Sequence, residues 1–175
     1  MAEPPERFEL ADPEQTAAAG RILGSLLKPG RVVALLGDLG AGKTALAKSA
    51  VAAQGEVEPD DVVSPTFMIA AEYPGRVEVL HLDAYRLSGP GSLDELDLGI
   101  GERPRAVLIE WAERVEGALP QDRLELELEH APAGRVLSVR GLGEARAWAL
   151  ELRRALAAGL ASAELNSGGG GQDPL

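Results

Sequence analysis

The residues with the clearest chemical potential form one short segment at positions 37–44, which reads GDLGAGKT. It fits the pattern G-x-x-x-x-G-K-[ST], follows an apolar run at 32–36 and precedes an alanine-rich stretch that we predict to be helical. Glycines in this setting let successive backbone N–H groups surround a phosphate, and the helix N-terminus adds partial positive charge. Lys43 would then reach the terminal phosphates, and the Thr44 hydroxyl would hold Mg²⁺. The segment predicts a phosphate-binding loop (P-loop) for a nucleoside triphosphate.

Two acidic residues follow apolar runs that we predict to be strands. Asp83 comes directly after the run at 77–82, and Glu110 comes directly after the run at 106–109. Nucleotide sites in open α/β sheets lie at the carboxyl ends of the strands, where an acid can hold Mg²⁺ or its bound waters. Both residues are therefore candidates for metal binding and catalysis. The alternative for each is a solvated residue that closes a strand.

Two other side chains near these acids are candidates with a structural alternative. Thr66 lies in the segment SPTF (64–67), where many P-loop proteins have a switch that responds to the terminal phosphate. Its hydroxyl could bind Mg²⁺ or orient the attacking water, or it could cap the next strand in a Ser-Pro turn. Trp111 follows Glu110 and could stack on a base or a partner, with packing in the core as the alternative.

The elements that must position these residues indicate an α/β protein. Residues 8–27 are predicted to form a first helix, with Asp12-Pro13 as its capping residue and first helical position. Runs at 67–72 and 77–82 around Pro74-Gly75 predict a β-hairpin. A hairpin beside the P-loop strand favours a P-loop NTPase-like sandwich with a central mixed β-sheet flanked by helices.

The C-terminal part of the chain predicts a last helix and a tail. Residues 144–160 have a helical apolar face, and 166–175 contain four consecutive glycines and almost no apolar residue. We therefore expect a single P-loop domain over 1–165 and a disordered glycine-rich tail over 166–175.

Composition excludes several classes of protein. The formal net charge is −11, from 28 acidic and 17 basic residues, which argues against nucleic-acid binding by this chain alone. There is no cysteine, so disulfides are excluded. No apolar run approaches the roughly 20 residues of a membrane span. The first ten residues lack the apolar core of a signal peptide, and we expect a cytoplasmic location.

Several short blocks, taken in order along the chain, resemble the TsaE family, the small ATPases of bacterial tRNA threonylcarbamoyladenosine biosynthesis. The blocks are GDLGAGKT (37–44), SPTF (64–67), HLDAYRL (81–87), ELDLGI (95–100) and IEWAER (109–114). The resemblance implies a compact P-loop fold, ATP as the nucleotide and Mg²⁺ as its metal. It also implies TsaD and TsaB as partner proteins, with tRNA reached only through them. ATP hydrolysis would support turnover of that complex.

The resemblance also assigns roles to individual residues. Thr44, Glu110 and Asp83 match metal-associated residues of the family. Glu14 or Gln15, Glu113 and, more loosely, Arg135 fall where the family contacts nucleotide. With the P-loop, the predicted nucleotide-binding residues are Glu14, Gln15, Gly37, Asp38, Leu39, Gly40, Ala41, Gly42, Lys43, Thr44, Trp111, Glu113 and Arg135. The predicted catalytic residues are Asp83, Thr66 and Glu110.

Three other functions share the P-loop. A GTPase usually selects guanine with an N-K-x-D segment, and the only asparagine here is Asn166 in the predicted tail, which argues against that class. A small-molecule kinase usually has an arginine-bearing lid, and no long arginine-rich insertion is present. A nucleotide-gated protein-binding module with negligible hydrolysis needs the same Mg²⁺·ATP site and stays open. We predict weak hydrolysis by the isolated protein and acceleration by its partners.

Overall fold

A seven-stranded sheet forms the centre of the structure, a computed structural model that describes residues 4–167. The strands are β1 (Glu6–Leu10), β2 (Val32–Leu36), β3 (Ala70–Tyr73), β4 (Val79–Asp83), β5 (Ala106–Glu110), β6 (Leu124–His130) and β7 (Arg135–Gly141). The α-helices are α1 (Pro13–Ser25), α2 (Lys43–Ala52), α3 (Pro90–Asp94) and α4 (Ala145–Ser167). Short 3₁₀ segments cover Pro59–Asp61 and Ala112–Ala118.

The sheet is mixed, as the sequence predicts. Its strand order is β1-β7-β6-β2-β5-β4-β3. The four central strands β6, β2, β5 and β4 run parallel to one another. At the edges, β3 pairs antiparallel with β4, β7 with β6, and β1 with β7. The carboxyl ends of the parallel strands consequently meet at one edge, and the P-loop leaves β2 there.

Two apolar clusters cover the two faces of the sheet. The larger cluster joins α1, α2 and α4 to one face, and the smaller cluster joins α3 and the 112–118 segment to the other. In β6, Leu124, Leu126 and Leu128 belong to the larger cluster, while the intervening glutamates point to the opposite face. The alternation of leucine and glutamate thus gives β6 an apolar face that packs towards α4 and a polar face on the other side of the sheet.

Close packing between α1 and α2 fixes the helix that follows the P-loop. Gly20 lies in α1 where a Cβ atom would approach the Leu46 carbonyl oxygen of α2 to 2.4 Å. Any larger residue would push the two helices apart, because that oxygen belongs to the backbone and cannot rotate away. Glycine at this position therefore helps to hold α2 in place beneath the predicted phosphate site.

The first predicted helix is wrong in its first part. Residues 8–10 belong to β1, which pairs with β7, and α1 begins only at Pro13. The physical reason is proline, which disfavours helical conformation in the preceding residue, and Asp12 is accordingly extended at φ −151° and ψ 173°. Asp12 caps α1 as predicted, since its Oδ1 accepts a hydrogen bond of 2.8 Å from the Gln15 N–H.

The predicted hairpin is present with a shorter first strand. β3 and β4 pair in antiparallel fashion, but β3 begins at Ala70 rather than Phe67. The preceding residues turn instead, because the Pro65 carbonyl accepts from the Met68 N–H at 3.0 Å and Ile69 has a φ of +66°. Phe67 is consequently exposed.

The C-terminal helix is longer than the sequence suggests. α4 ends at Ser167 instead of about residue 160. Of the tail predicted at 166–175, only the first two residues lie within the described part of the chain, and both belong to α4. No helix among residues 4–167 combines the length and the apolar character that crossing a membrane requires.

Candidate nucleotide-binding site

The P-loop connects β2 to α2 and presents an open helix N-terminus. Gly42 precedes α2 with a φ of +110° and offers no side chain, so the first turn of α2 has no side-chain cap. The N–H groups of a helix's first turn have no partner within the helix and carry partial positive charge. This end of α2 can therefore receive an anion such as a phosphate group.

Glycine is required where the loop leaves β2. Gly37 has a φ of +128°, and a Cβ atom there would lie 2.1 Å from the Leu128 carbonyl oxygen of β6. Both the conformation and the close approach exclude an ordinary side chain. The loop consequently starts with its backbone pressed against β6.

Lys43 lies folded against the loop that it belongs to. Its ammonium donates to the Asp38 carbonyl at 2.8 Å and to the Gly37 carbonyl, and it lies 3.8 Å from the centre of the Trp111 ring. Burial lowers the pKa of Lys43, and the nearby carboxylates of Glu113, Glu110, Asp38 and Asp83 oppose that effect. A buried ammonium close to the helix N-terminus is available to an anionic ligand.

Thr44 and Glu110 form the first of two hydroxyl–carboxylate pairs. The Thr44 hydroxyl, in the first turn of α2, donates to Glu110 Oε2 at 2.6 Å. Glu110 closes β5 and is 1% exposed, and its Oε1 lies 2.8 Å from Nε2 of His81. Two of the three residues predicted to hold Mg²⁺, Thr44 and Glu110, are thus in direct contact.

Asp83 and Thr66 form the second pair. The Thr66 hydroxyl donates to Asp83 Oδ2 at 2.8 Å and lies 2.9 Å from the Ser64 hydroxyl. The other carboxylate oxygen of Asp83 accepts from the Tyr85 N–H at 2.8 Å. Asp83 and Glu110 are register partners in β4 and β5, so the two pairs stand side by side at one edge of the sheet.

Two side chains, from the last residue of β6 and the first residue of β7, form hydrogen bonds with the P-loop. The Arg135 guanidinium donates to the Ala41 carbonyl at 3.2 Å and to the Gly40 carbonyl at 3.1 Å. His130 Nε2 lies 3.1 Å from the Leu39 carbonyl oxygen. Since these bonds use carbonyl groups, they leave the N–H groups of the loop available.

Two neighbouring cavities lie on the loop. One of about 190 Å³ is lined by P-loop residues together with Glu110 and Trp111. The other, of about 270 Å³, lies between the start of α1, the loop and Arg135. Gly40, Gly42 and Ala45 line both cavities. The arrangement offers one compartment beside the hydroxyl–carboxylate pairs and a second, more apolar one next to it.

Three residues predicted from the resemblance lie away from these cavities. Glu14 is exposed and forms an ion pair of 2.7 Å with Arg21. The Gln15 side chain accepts from the Ala11 N–H at 2.8 Å, which ties it to the start of α1. Glu113 lines another cavity, of about 420 Å³, between the 112–118 segment and the polar face of β6, and its charge acts on Lys43. Gly37 and Asp38, the first two P-loop residues, line this cavity as well and not the other two. Instead, Asp12, Pro13 and Thr16 line the cavity beside α1.

Sequence reasoning did not assign His130 or Tyr85 to the site. His130 reaches the loop only because β6 is adjacent to β2, and Tyr85 contributes a backbone N–H, which every residue type except proline provides. The HLDAYRL block was the one signal for Tyr85, because it places that residue two positions after Asp83.

The residues present fit a Mg²⁺·nucleotide rather than a free metal ion. No group of three or more His, Cys, Asp or Glu side chains within residues 4–167 could hold a metal ion by itself. Mg²⁺ in nucleotide enzymes typically uses one or two carboxylates and completes its shell with phosphates and waters. A threonine hydroxyl beside a carboxylate, next to an uncapped helix N-terminus, matches that requirement.

Comparisons with known proteins agree on one family. The family model "Threonylcarbamoyl adenosine biosynthesis protein TsaE" matches residues 10–137. The TsaE protein of Streptomyces coelicolor is 38% identical over 134 residues, which cover 71% of this chain and 89% of that protein. The TsaE protein of Bacillus subtilis is 38% identical over 129 residues, covering 71% and 78% respectively.

A solved structure gives the same result in three dimensions. The crystal structure of Bacillus subtilis YdiB superimposes with a TM-score of 0.72 at 30% identity, covering 88% of this chain and 97% of that one. The family match spans both strands that carry the paired carboxylates and the whole P-loop. This chain belongs to the TsaE family.

Proposed function

We propose that this protein binds ATP with Mg²⁺ and hydrolyses it in support of tRNA threonylcarbamoyladenosine synthesis. The observation that carries the proposal is the contact between Thr44 and Glu110 at 2.6 Å. Thr44 lies in the first turn of α2, whose N-terminus has no side-chain cap. A P-loop threonine paired with a strand-end carboxylate is what Mg²⁺-dependent nucleotide hydrolysis requires. The biosynthetic role follows from the family, whose members in Streptomyces coelicolor and Bacillus subtilis are named for it.

The proposed binding mode uses both cavities. The phosphates would lie in the cavity at the loop, where Lys43 and the α2 N-terminus supply positive charge. The base and ribose would lie in the adjoining cavity beside Asp12 and Arg135. Thr44, with Glu110 and Asp83 behind it, would hold the metal. When bound, Mg²⁺ would neutralise charge on the terminal phosphates and orient them for attack by water.

The proposed catalytic contribution of the chain itself is to position water. Thr66 and Asp83 are held together at 2.8 Å at the sheet edge, next to the Thr44–Glu110 pair. Asp83 is 4% exposed, and its two oxygens accept from the Tyr85 N–H and from the Thr66 hydroxyl. A hydroxyl and a carboxylate in this arrangement can orient a water and accept its proton.

Slow hydrolysis by the isolated protein is part of the proposal. The arginines that follow the two acids are both engaged with aromatic rings: Arg86 lies 4.9 Å from the Phe67 ring and Arg114 lies 5.0 Å from the Tyr85 ring. An arginine finger stabilises charge on the transferring phosphoryl group, and a partner protein can supply one. The same observation also favours the second candidate, a nucleotide-gated binding module with negligible hydrolysis.

The proposed partners are TsaD and TsaB, with tRNA contacted through them. The net charge of −11 supports protein partners rather than direct tRNA binding, because phosphate-directed binding relies on basic surface.

The experiment measures ATP binding by calorimetry and ATP turnover with and without purified TsaD and TsaB. We expect Mg²⁺-dependent ATP binding, slow turnover alone and faster turnover in the complex. Binding without turnover in either condition would leave the gated module as the function. No ATP binding at all would contradict the proposal. A Glu110→Gln protein, measured in parallel, should bind ATP and lose most Mg²⁺-dependent turnover.

A further inference from the structure

A fully buried histidine contacts Glu110, the carboxylate proposed to bind metal, on the oxygen that does not contact Thr44. His81 lies in β4 with 0% exposure, and its Nε2 is 2.8 Å from Glu110 Oε1. Its other ring nitrogen, Nδ1, is buried and has no hydrogen-bond partner. This asymmetry between the two nitrogens determines what the histidine can do.

The unpartnered nitrogen selects one form of the ring. A neutral imidazole carries one N–H and one bare acceptor nitrogen, whereas a protonated ring carries two N–H donors. A hydrogen on Nδ1 would be a buried donor without a partner, which is costly. It would also leave the bare Nε2 facing a carboxylate oxygen, one acceptor against another. The form with its hydrogen on Nε2 leaves only an acceptor unpaired and donates to Glu110. His81 therefore acts as a fixed hydrogen-bond donor to the carboxylate.

Each oxygen of Glu110 then has its own donor. Oε1 accepts from His81, and Oε2 accepts from the Thr44 hydroxyl at 2.6 Å. These contacts join β4, β5 and the first turn of α2 in one chain of hydrogen bonds. With Oε1 fixed, Oε2 stays directed at Thr44, and the hydroxyl hydrogen is committed to it. The lone pairs of the Thr44 oxygen remain available for a cation.

We propose that His81 is a positioning residue of the Mg²⁺ site, which fixes Glu110 and through it orients the hydroxyl of Thr44. The inference rests on the proposed function, since it concerns how Mg²⁺ is held with the nucleotide. Asp83 is held by different donors, Thr66 and the Tyr85 N–H, so His81 acts on only one of the two carboxylates. Partners of this kind, one step behind a metal ligand, commonly change metal affinity about 10- to 100-fold.

The test separates the hydrogen bond from the packing of the ring. His81→Gln keeps an N–H donor at a reach similar to Nε2, His81→Asn keeps a polar amide that is too short, and His81→Leu removes the donor at similar volume. Val79→Ala, on the same face of β4, is the control for a packing loss without any contact to Glu110. Thermal unfolding is recorded for every variant.

The measurement is ATP affinity by calorimetry, first in EDTA and then across a Mg²⁺ titration. For His81→Leu and His81→Asn, we expect the Mg²⁺ concentration that gives half of the gain in ATP affinity to rise about tenfold. The ATP affinity in EDTA should stay within about twofold of the wild-type value. His81→Gln should lie close to the wild type, and Val79→Ala should match the wild type. Adding His81→Leu to Glu110→Gln should cause no further loss, because the donor then has no carboxylate to fix.

Other outcomes overturn the inference. It fails if His81→Leu weakens ATP binding equally in EDTA and in Mg²⁺, or if Val79→Ala reproduces the Mg²⁺ effect. It also fails if His81→Asn and His81→Gln are equal to each other, a comparison that decides the matter if His81→Leu does not fold. A wild-type protein that binds ATP with Mg²⁺ while all His81 variants behave like it refutes this inference alone. A wild-type protein that binds no ATP refutes the proposed function itself.

Discussion

Lys43 and Trp111 are stacked, with the ammonium nitrogen 3.8 Å from the centre of the indole ring. The lysine belongs to the P-loop and the tryptophan is the residue after β5, and both line the proposed phosphate cavity. Trp111 has a φ of +57°, a left-handed conformation that is uncommon for a bulky side chain. The contact therefore fixes the ring and the lysine relative to each other in the lining of the proposed site.

ATP binding should change the fluorescence of Trp111. The ammonium is expected to leave the ring for the phosphates, which alters the charge next to the indole. The chain has two tryptophans, and Trp148, which belongs to α4, is buried at 2% exposure, so Trp148→Phe isolates the Trp111 signal. Emission recorded during an ATP titration checks this. The matched Trp111→Phe protein should give no change, and an equal response from both variants would contradict the interpretation.

Lys43→Met should lose ATP binding and stabilise the protein without nucleotide. Loss of an ammonium–phosphate contact is expected to weaken ATP binding about 100-fold. Burial lowers the pKa of Lys43, which means that the charged form is less stable in the folded protein than in water. Methionine keeps the apolar stem without the charge, so we expect a higher melting temperature.

The gain in stability expected for Lys43→Met should depend on pH in a direction that follows from the lowered pKa of Lys43. The unfolded chain binds the Lys43 proton more tightly than the folded one, so wild-type stability rises with pH between the lowered pKa and the ordinary value of 10.5. The advantage of Lys43→Met is therefore full below the lowered pKa and fades above it. Calorimetric melting at several pH values checks this, with Lys28→Met, at an exposed lysine, as the control. A melting temperature below wild type at neutral pH would contradict it.

Thr66→Val should slow hydrolysis while preserving ATP affinity. Valine has the same shape as threonine but removes the hydroxyl that contacts Asp83 at 2.8 Å. Loss of a water-positioning hydroxyl is expected to lower kcat at least about tenfold. Thr66→Ser should recover most of the activity because it restores the hydroxyl. Steady-state turnover and calorimetric ATP binding test this, and a loss of ATP affinity as large as the loss of kcat would point to a structural role.

Arg135→Met should weaken ATP binding by loosening the P-loop. The guanidinium bonds the carbonyls of Gly40 and Ala41, and without it those residues lose their link to β7. We expect about tenfold weaker ATP binding and faster hydrogen exchange of the loop amides. Arg7→Met is the matched control, because Arg7 forms an exposed ion pair with Glu129 in the same part of the sheet. Unchanged loop exchange in Arg135→Met would refute the supporting role.

The predictions that the structure confirms are those that depend on local residue order and apolar pattern. The strand and the helix predicted on either side of residues 37–44 are present as β2 and α2, while the nucleotide-binding role of these residues stays a prediction. The mixed sheet followed from apolar runs and a turn signal, and Asp12 was correctly identified as a helix cap. Apolar periodicity is weak near the N-terminus, and the helix predicted there wrongly included residues of β1. That strand forms by pairing with β7, which is distant in sequence.

Tertiary structure alone decided how the functional groups combine. Sequence identified Thr44, Thr66, Asp83 and Glu110 separately, but the partnership of Thr44 with Glu110 and of Thr66 with Asp83 depends on which strands are adjacent. The tertiary structure also decided that the Gln15 side chain accepts from the Ala11 N–H at the start of α1, and that His81 in β4 contacts Glu110 in the adjacent strand β5. Residue types and local spacing are properties of the chain, whereas these contacts join positions up to 66 residues apart and form only when the sheet is assembled.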